Sequence, residues 1–387
     1  MDIAPWLDQA RALQTETFVF DYAPCGEPII MTPRHRAQMM AGLEHKLPIG
    51  RILATMTRDR LDEIATSTEL RARIRACWDQ SGVDAVQLTL GGRALAPQLW
   101  DACIEDVGHW LHRARAGGDM AVCTSADDLV QARAAGRIGL VFGLQDSGVI
   151  GTDLDRLDLL YRMGLRVAQL TYNTRNAIGD GCEERAPAGL SRFGLVAVHR
   201  MNALGIVVDV SHCGPATTMD AISMSRAPVA VTHACCHTVA AHPRAKTDDV
   251  LRALRDTGGF FGIVTVPKFL SPEGQADLGV MLRHIDHAVS ILGTDKVGIA
   301  TDWGGWTPDL PPELIDAATE NFRRLGFKAD TSPQFGVGLP EFTAWEQWPH
   351  LTASLLAAGY PADDVRQMIG GNWLAFTRRV EAASRIA

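Results

Sequence analysis

Basic residues are outnumbered, 37 Lys and Arg against 45 Asp and Glu, and nowhere do they gather into a stripe. A nucleic-acid surface needs a clustered cationic face, so that class is set aside. Long apolar runs are also missing. The first twenty residues, MDIAPWLDQARALQTETFVF, are interrupted by acidic groups before they reach the length of a signal-peptide core or a membrane span. A soluble cytoplasmic protein with no membrane partner is the expectation. No CxxC pair occurs among the eight cysteines, at 25, 77, 103, 123, 182, 213, 235 and 236. Reduced thiols follow, because a chain of 387 residues buries enough apolar surface to fold without disulfides. Repeats, low-complexity stretches and linkers are absent, which points to one domain over residues 1–387.

What the chain does have is a recurring short apolar run. FVFDY (18–22), DAVQLT (84–89), IGLVFGL (138–144), RVAQLT (166–171), IVVDV (206–210), PVAVT (228–232), FFGIV (260–264) and VGIATD (297–302) make eight candidate strands. Most are nearly all apolar, as strands covered on both faces are. Between them lie helical patterns: TDLDRLDLLYRMGL has a polar start, an i, i+3, i+4 stripe and a closing Gly164, and LSRFGLVAVHRMNALG closes on Gly205. Eight such units predict an α/β fold of the (β/α)8 TIM-barrel type. A doubly wound sheet would need a GxGxxG turn after an early strand, and none follows FVFDY or DAVQLT. Residues 303–350, rich in Trp, Pro and Gly, read as a loop insertion on the rim.

In a barrel the C-terminal strand ends share one mouth, so the polar residues there carry the chemistry. Strand one runs into Asp21, Tyr22, Ala23 and Cys25, strand three into Gln145 and Asp146, and strand four into Tyr172 and Asn173. Strand five ends at Asp209, Ser211 and His212, strand six at Thr232 and His233, and strand eight at Asp302. A lone strand-end histidine is more often structural than functional. Two of them with an aspartate on the last strand make a plausible metal set, since imidazole nitrogen and carboxylate oxygen are ordinary zinc donors.

The stretch DVSHCGPATTMDAISMSRAPVAVTHACCHTVAAHPR (209–244) resembles the signature region of the membrane dipeptidase (renal dipeptidase) family, peptidase family M19. GLRVAQLTYNTRNAIGDGC (164–182), VGIATDWGGWTPDLP (297–311) and GGNWLAF (370–376) resemble further family segments in the same order, and LTYN is similar to a bacterial branch. The resemblance implies a metal-dependent hydrolase. It implies that His212 and His233 are metal ligands, that Arg244 holds a substrate carboxylate and that Asp302 orients or deprotonates the attacking water. Tyr172, where many members have histidine, would polarise the substrate carbonyl, with Asn173 beside it as a substrate contact. Such barrels commonly resemble homodimers.

The same resemblance implies two metals, held also by an HxD pair after strand one and a bridging Glu after strand three. Here Ala23 and Cys25 stand at the first pair and Gln145 at the bridge. A neutral amide cannot supply the charge that holds two cations together. The expectation is therefore one zinc ion on His212 and His233, with Gln145 oxygen, Asp302, Asp146 or the Cys25 thiolate completing the shell. The reaction would be hydrolysis of an amide or peptide-type bond in a small carboxylate-bearing substrate. The alternative is a metal-free pocket that runs a different, non-hydrolytic reaction or only binds a small molecule. A third reading makes Cys25 a nucleophile assisted by one of the histidines.

Overall fold

The computed structural model describes residues 1–24, 26–91, 99–302 and 311–385. Ten strands are present among them: β1 Phe20–Asp21, β2 Ala85–Leu90, β3 Met120–Val122, β4 Ile138–Leu144, β5 Leu165–Gln169, β6 Val207–Asp209, β7 Ala230–Cys236, β8 Ala245–Lys246, β9 Phe260–Val264 and β10 Val297–Ala300. The eight expected runs form the wall, in the order β1-β2-β4-β5-β6-β7-β9-β10, and every pairing is parallel. The chain is a (β/α)8 TIM barrel. The two strands that sequence reading missed are short additions, β3 on β4 and β8 on β7.

Among the described residues no ladder joins β10 to β1. The seam is closed instead by Thr301 N–H on Asp21 Oδ1 at 2.8 Å and by Asp302 N–H on Tyr22 O at 3.4 Å. The helix Leu154–Arg162 is capped by the Asp153 side chain and the helix Arg192–Leu204 by Ser191, and Gly164 and Gly205 follow them at positive φ. Glycine has no Cβ to clash in that conformation, which is why it punctuates these ends.

Inside the wall, Trp373 of the C-terminal helix Asn372–Ser384 plugs one end of the barrel. Its ring stacks on Phe20 at 5.2 Å and meets Tyr22 and Phe260 edge-on. The helix can approach because Gly370, just before it, packs against the Phe18 carbonyl where any Cβ would collide. With that end filled by aromatics, the polar side chains collect at the C-terminal strand ends.

Between β1 and β2 the chain builds three helices, α2 Pro33–Glu44, α3 Ile49–Thr66 and α4 Thr68–Ser81, after an N-terminal α1 at Leu7–Glu16. Met39, Ile49, Ile52 and Met56 of this insertion pack against Leu314, Ala318 and Phe335 in a separate apolar cluster. The expected rim loop is therefore corrected in part: it contains the helix Pro312–Arg324, and Trp345 and Trp348 are buried rather than displayed. Leu314, Ala318 and Phe322 recur every four residues behind a Pro at the first helical position, so the segment has an apolar face to bury. Residues 303–310 of that loop lie outside the described residues. No helix among the described residues is long and apolar enough to cross a membrane.

Candidate active site

Asp209, at the end of β6, organises the site. Its Oδ1 accepts from Ser211 N–H at 2.9 Å, Ser211 Oγ at 2.6 Å and Thr232 N–H at 3.2 Å, and its Oδ2 accepts from Thr232 Oγ1 at 2.7 Å. Burial raises its pKa, while the four donors, which the ionised form accepts best, hold it back. Each hydroxyl gives its one hydrogen to the carboxylate. Ser211 Oγ is then the acceptor for His233 N–H at 3.1 Å, and Thr232 Oγ1 is the acceptor for His233 Nδ1 at 2.8 Å. The network thus assigns His233 the tautomer protonated on Nδ1.

His212 receives the same assignment from the other side. Its Nδ1 meets Asn173 Oδ1 at 2.7 Å, and the amide is oriented by Asn173 Nδ2 donating to Leu325 O at 3.4 Å. The two Nε2 atoms then face each other at 3.1 Å with a lone pair on each. Both rings are buried, and both pKa values lie well below the usual histidine range. Burial is the main cause, followed by the charge of Arg244. Tyr172 stacks on His212 with ring centroids 4.2 Å apart and fixes the plane of the imidazole.

Two buried cations lie close to this pair. Arg244 donates Nη1 to Ser211 O and Nη2 to His233 O, so one guanidinium ties the segment just past β6 to the middle of β7. Its Nε has no partner among the described residues. Lys246 Nζ donates to Val210 O at 2.7 Å and Cys213 O at 2.8 Å, and burial brings its pKa down to about 8.

Asp302 lies beyond the seam. Its φ is +49°, and Ala23 on the neighbouring strand end has φ +58°. Non-glycine residues rarely adopt this conformation, which costs roughly 1–3 kcal/mol and is usually retained where a site demands it. Burial, with a smaller push from Asp21, raises Asp302 to about 7 despite the opposing charge of Arg244.

A cleft of about 190 Å³ opens over these groups. Gln145, Tyr172, His212 and Asp302 line it, so four of the expected residues reach one cavity. His233 does not line it but touches His212 from below. Asn173 is buried behind His212, with its amide on the ring and on Leu325 O, and Arg244 is buried with its guanidinium on the Ser211 and His233 carbonyls. Asp146 is a turn cap, accepting from Gly148 N–H and Asn176 Nδ2, both at 2.7 Å. Cys25 lies outside the described residues. Sequence reading missed the contribution of α3, which lines the cleft with Leu53, Met56, Thr57 and Arg60. The signal available was the long stretch between β1 and β2, far more than one barrel helix requires.

The profile of the membrane dipeptidase family, peptidase family M19, matches residues 100–321, more than half of the chain. The chain belongs to this family. Dipeptidase verJ of Clonostachys rogersoniana is 31% identical over 252 residues, which are 65% of this chain and 57% of that protein. An amidohydrolase structure from Pseudomonas aeruginosa superposes with a TM-score of 0.71 at 24% identity, covering 96% of this chain and 98% of that one. A metallopeptidase from Rhodobacter sphaeroides, solved with a phosphinate mimic of the dipeptide L-Ala-D-Ala, gives 0.67 at 22% identity over 83% and 96%. At these identities the two structures support the fold.

Membership in M19 implies a metal, and the donor set can be judged against it. Two neutral imidazoles with their Nδ1 atoms tied and their Nε2 lone pairs converging at 3.1 Å suit one cation, because zinc–nitrogen distances near 2.0–2.1 Å span such a gap. Among the described residues no group of three or more His, Cys, Asp or Glu side chains could hold an ion. Ala23 carries no donor, and Gln145 offers only a neutral oxygen.

Proposed function

We propose that this M19 chain is a hydrolase of the dipeptidase kind working with a single zinc ion, and that it cleaves an amide or peptide-type bond in a small carboxylate-bearing substrate. The observation that carries this reading is the pair of facing Nε2 atoms, 3.1 Å apart and each deprotonated by its own hydrogen-bond network. Two lone pairs at that separation repel unless a cation or proton stands between them, and both imidazoles resist protonation. His212 and His233 would hold the ion, with Gln145 as the neutral donor on the cleft wall. Zinc bound there would supply Lewis acidity toward a carbonyl and toward water.

The chain's own residues account for the remaining steps. Asp302, held at about 7, takes the proton of the attacking water as its oxygen bonds to the carbonyl carbon. The same proton then passes to the leaving nitrogen as the carbon–nitrogen bond breaks. The Tyr172 hydroxyl donates a hydrogen bond to the carbonyl oxygen as negative charge develops on it, and stacking on His212 keeps it in place. Asn173 and Thr232 hold the two imidazoles in their tautomers.

The lack of a third ionisable donor among the described residues favours a second reading, in which the pocket runs without metal. A dipeptide panel separates the two. Turnover that appears with zinc, disappears with a chelator and is lost in His212→Ala supports the first. Turnover indifferent to the chelator, or a small acid bound tightly with no turnover, supports the second.

A further inference from the structure

At the N-terminal face of the barrel, opposite the cleft, a second cavity of about 400 Å³ opens beside the starts of β2 and β4. Val83 and Asp84 border it just before β2, and Gly136 and Arg137 just before β4. Four arginines line it: Arg11 of α1, Arg75 of α4, Arg133 of the helix Ala126–Ala134, and Arg137. Three of them close a circuit of helix ends. Arg11 Nη1 donates to Gln80 O near the end of α4 at 3.2 Å, Arg75 Nη1 to Gly136 O just past the helix Ala126–Ala134 at 2.8 Å, and Arg133 Nη2 to Thr15 O near the end of α1 at 2.7 Å. The Arg137 side chain makes no hydrogen bond or ion pair among the described residues. We propose that this ring of arginines binds a diphosphate group, free or carried on a nucleotide.

Charge and donor placement support the assignment. The carboxylates in the described lining are Asp79 and Asp84, and each is already paired, Asp79 with Arg75 Nε at 2.8 Å and Asp84 with Arg133 Nε at 3.1 Å. Four guanidiniums against two carboxylates leave two positive charges in excess, on a chain whose net charge is −8. Carbonyls at helix C-termini would by themselves repel an anion, but here each of the three meets an arginine N–H. Arg11 spends one of its five N–H groups in these bonds, and Arg75 and Arg133 two each. Arg11 Nη2, Arg75 Nη2 and Arg133 Nη1 have no partner among the described residues, so part of each planar fork is left for phosphoryl oxygens, which guanidinium matches in pairs. The bonds to the carbonyls hold three of the forks in place before a ligand arrives. The cavity also falls within the roughly 300–1,000 Å³ of small-ligand sites. Two linked phosphoryl groups present more oxygens to four forks than a single one can.

Calorimetric titration of the purified chain with sodium diphosphate, sodium phosphate and ADP at low ionic strength tests the proposal on wild type, Arg137→Gln, Arg11→Gln and His212→Ala. Wild type should bind diphosphate about tenfold or more tighter than phosphate, and less tightly as salt is added. Arg137→Gln and Arg11→Gln should each weaken diphosphate by about fivefold or more, and Arg137→Gln, whose side chain has no other partner to lose, should keep the wild-type melting temperature. His212→Ala should bind diphosphate as wild type does, which separates this site from zinc in the cleft. ADP binding at least as tightly as diphosphate places the group on a nucleotide, and weaker ADP binding makes the free ion the ligand. No binding at millimolar diphosphate, equal affinity for phosphate, wild-type affinity in Arg137→Gln, or loss of binding in His212→Ala overturns the proposal. Neither arginine lines the cleft, so the result is independent of the reaction the chain runs.

Discussion

Asp21 holds Thr301 twice, through the backbone N–H on Oδ1 at 2.8 Å and through Oγ1 on Oδ2 at 2.6 Å. Trp348 Nε1 adds a third bond at 3.3 Å. One buried carboxyl thus closes the barrel between its first and last strands and sets the backbone that delivers Asp302 to the cleft.

Both carboxyls are raised to about 7, chiefly by burial. In the unfolded chain each returns to roughly 3.9. Between about pH 4 and 7 the native state keeps protons that the unfolded state has released, so the stability they contribute is present at acid pH and lost as pH rises through 7. Urea unfolding should therefore show Asp302→Asn more stable than wild type by about 1–3 kcal/mol at pH 8, with the gain vanishing near pH 4. An equal change at both pH values would contradict the raised pKa.

The same group gives the rate its pH dependence. As a base Asp302 must be ionised, so kcat/KM should rise through about pH 7 and flatten above it. Asp302→Asn should lower kcat by about a hundredfold or more without this inflection. A flat profile in wild type would remove Asp302 from the proton transfer.

Asn173 touches His212 rather than the cleft. Asn173→Ala should weaken zinc binding by about 10–100-fold in a chelator competition, because the imidazole loses the acceptor that fixes its tautomer. An unchanged zinc affinity with a raised KM would return Asn173 to substrate contact.

Tyr172→Phe keeps the stack on His212 and removes only the hydroxyl. Steady-state kinetics should show kcat down by about 100-fold with KM within a factor of about three. Loss confined to KM would make the hydroxyl a binding group and leave the oxyanion without it.

The eight wall strands and the helix stops at Gly164 and Gly205 are legible in the sequence because barrel strands are apolar on both faces and glycine takes the closing positive-φ turn at the least steric cost. His212, Asp302, Tyr172 and Gln145 are legible as strand-end residues, and they do share one cleft. β3 and β8, of three and two residues, carry too little pattern to be seen. The tautomers of His212 and His233 depend on Asp209 reaching from β6 to β7, a bond between segments that no spacing reveals. Arg244 can be recognised as a cation, but its engagement with two carbonyls cannot. The part played by α3 is hidden for a related reason: an amphipathic helix shows which face is buried, but not that the face closes a cleft at the barrel mouth.

Ala23 and Gln145, standing where the resemblance implies metal-holding residues, underlie the proposed single-ion reading. Elemental analysis of the purified chain after growth with zinc tests it most directly. One zinc per chain, lost in His212→Ala, is the expected result; two ions per chain, or less than about a tenth of one, would contradict it.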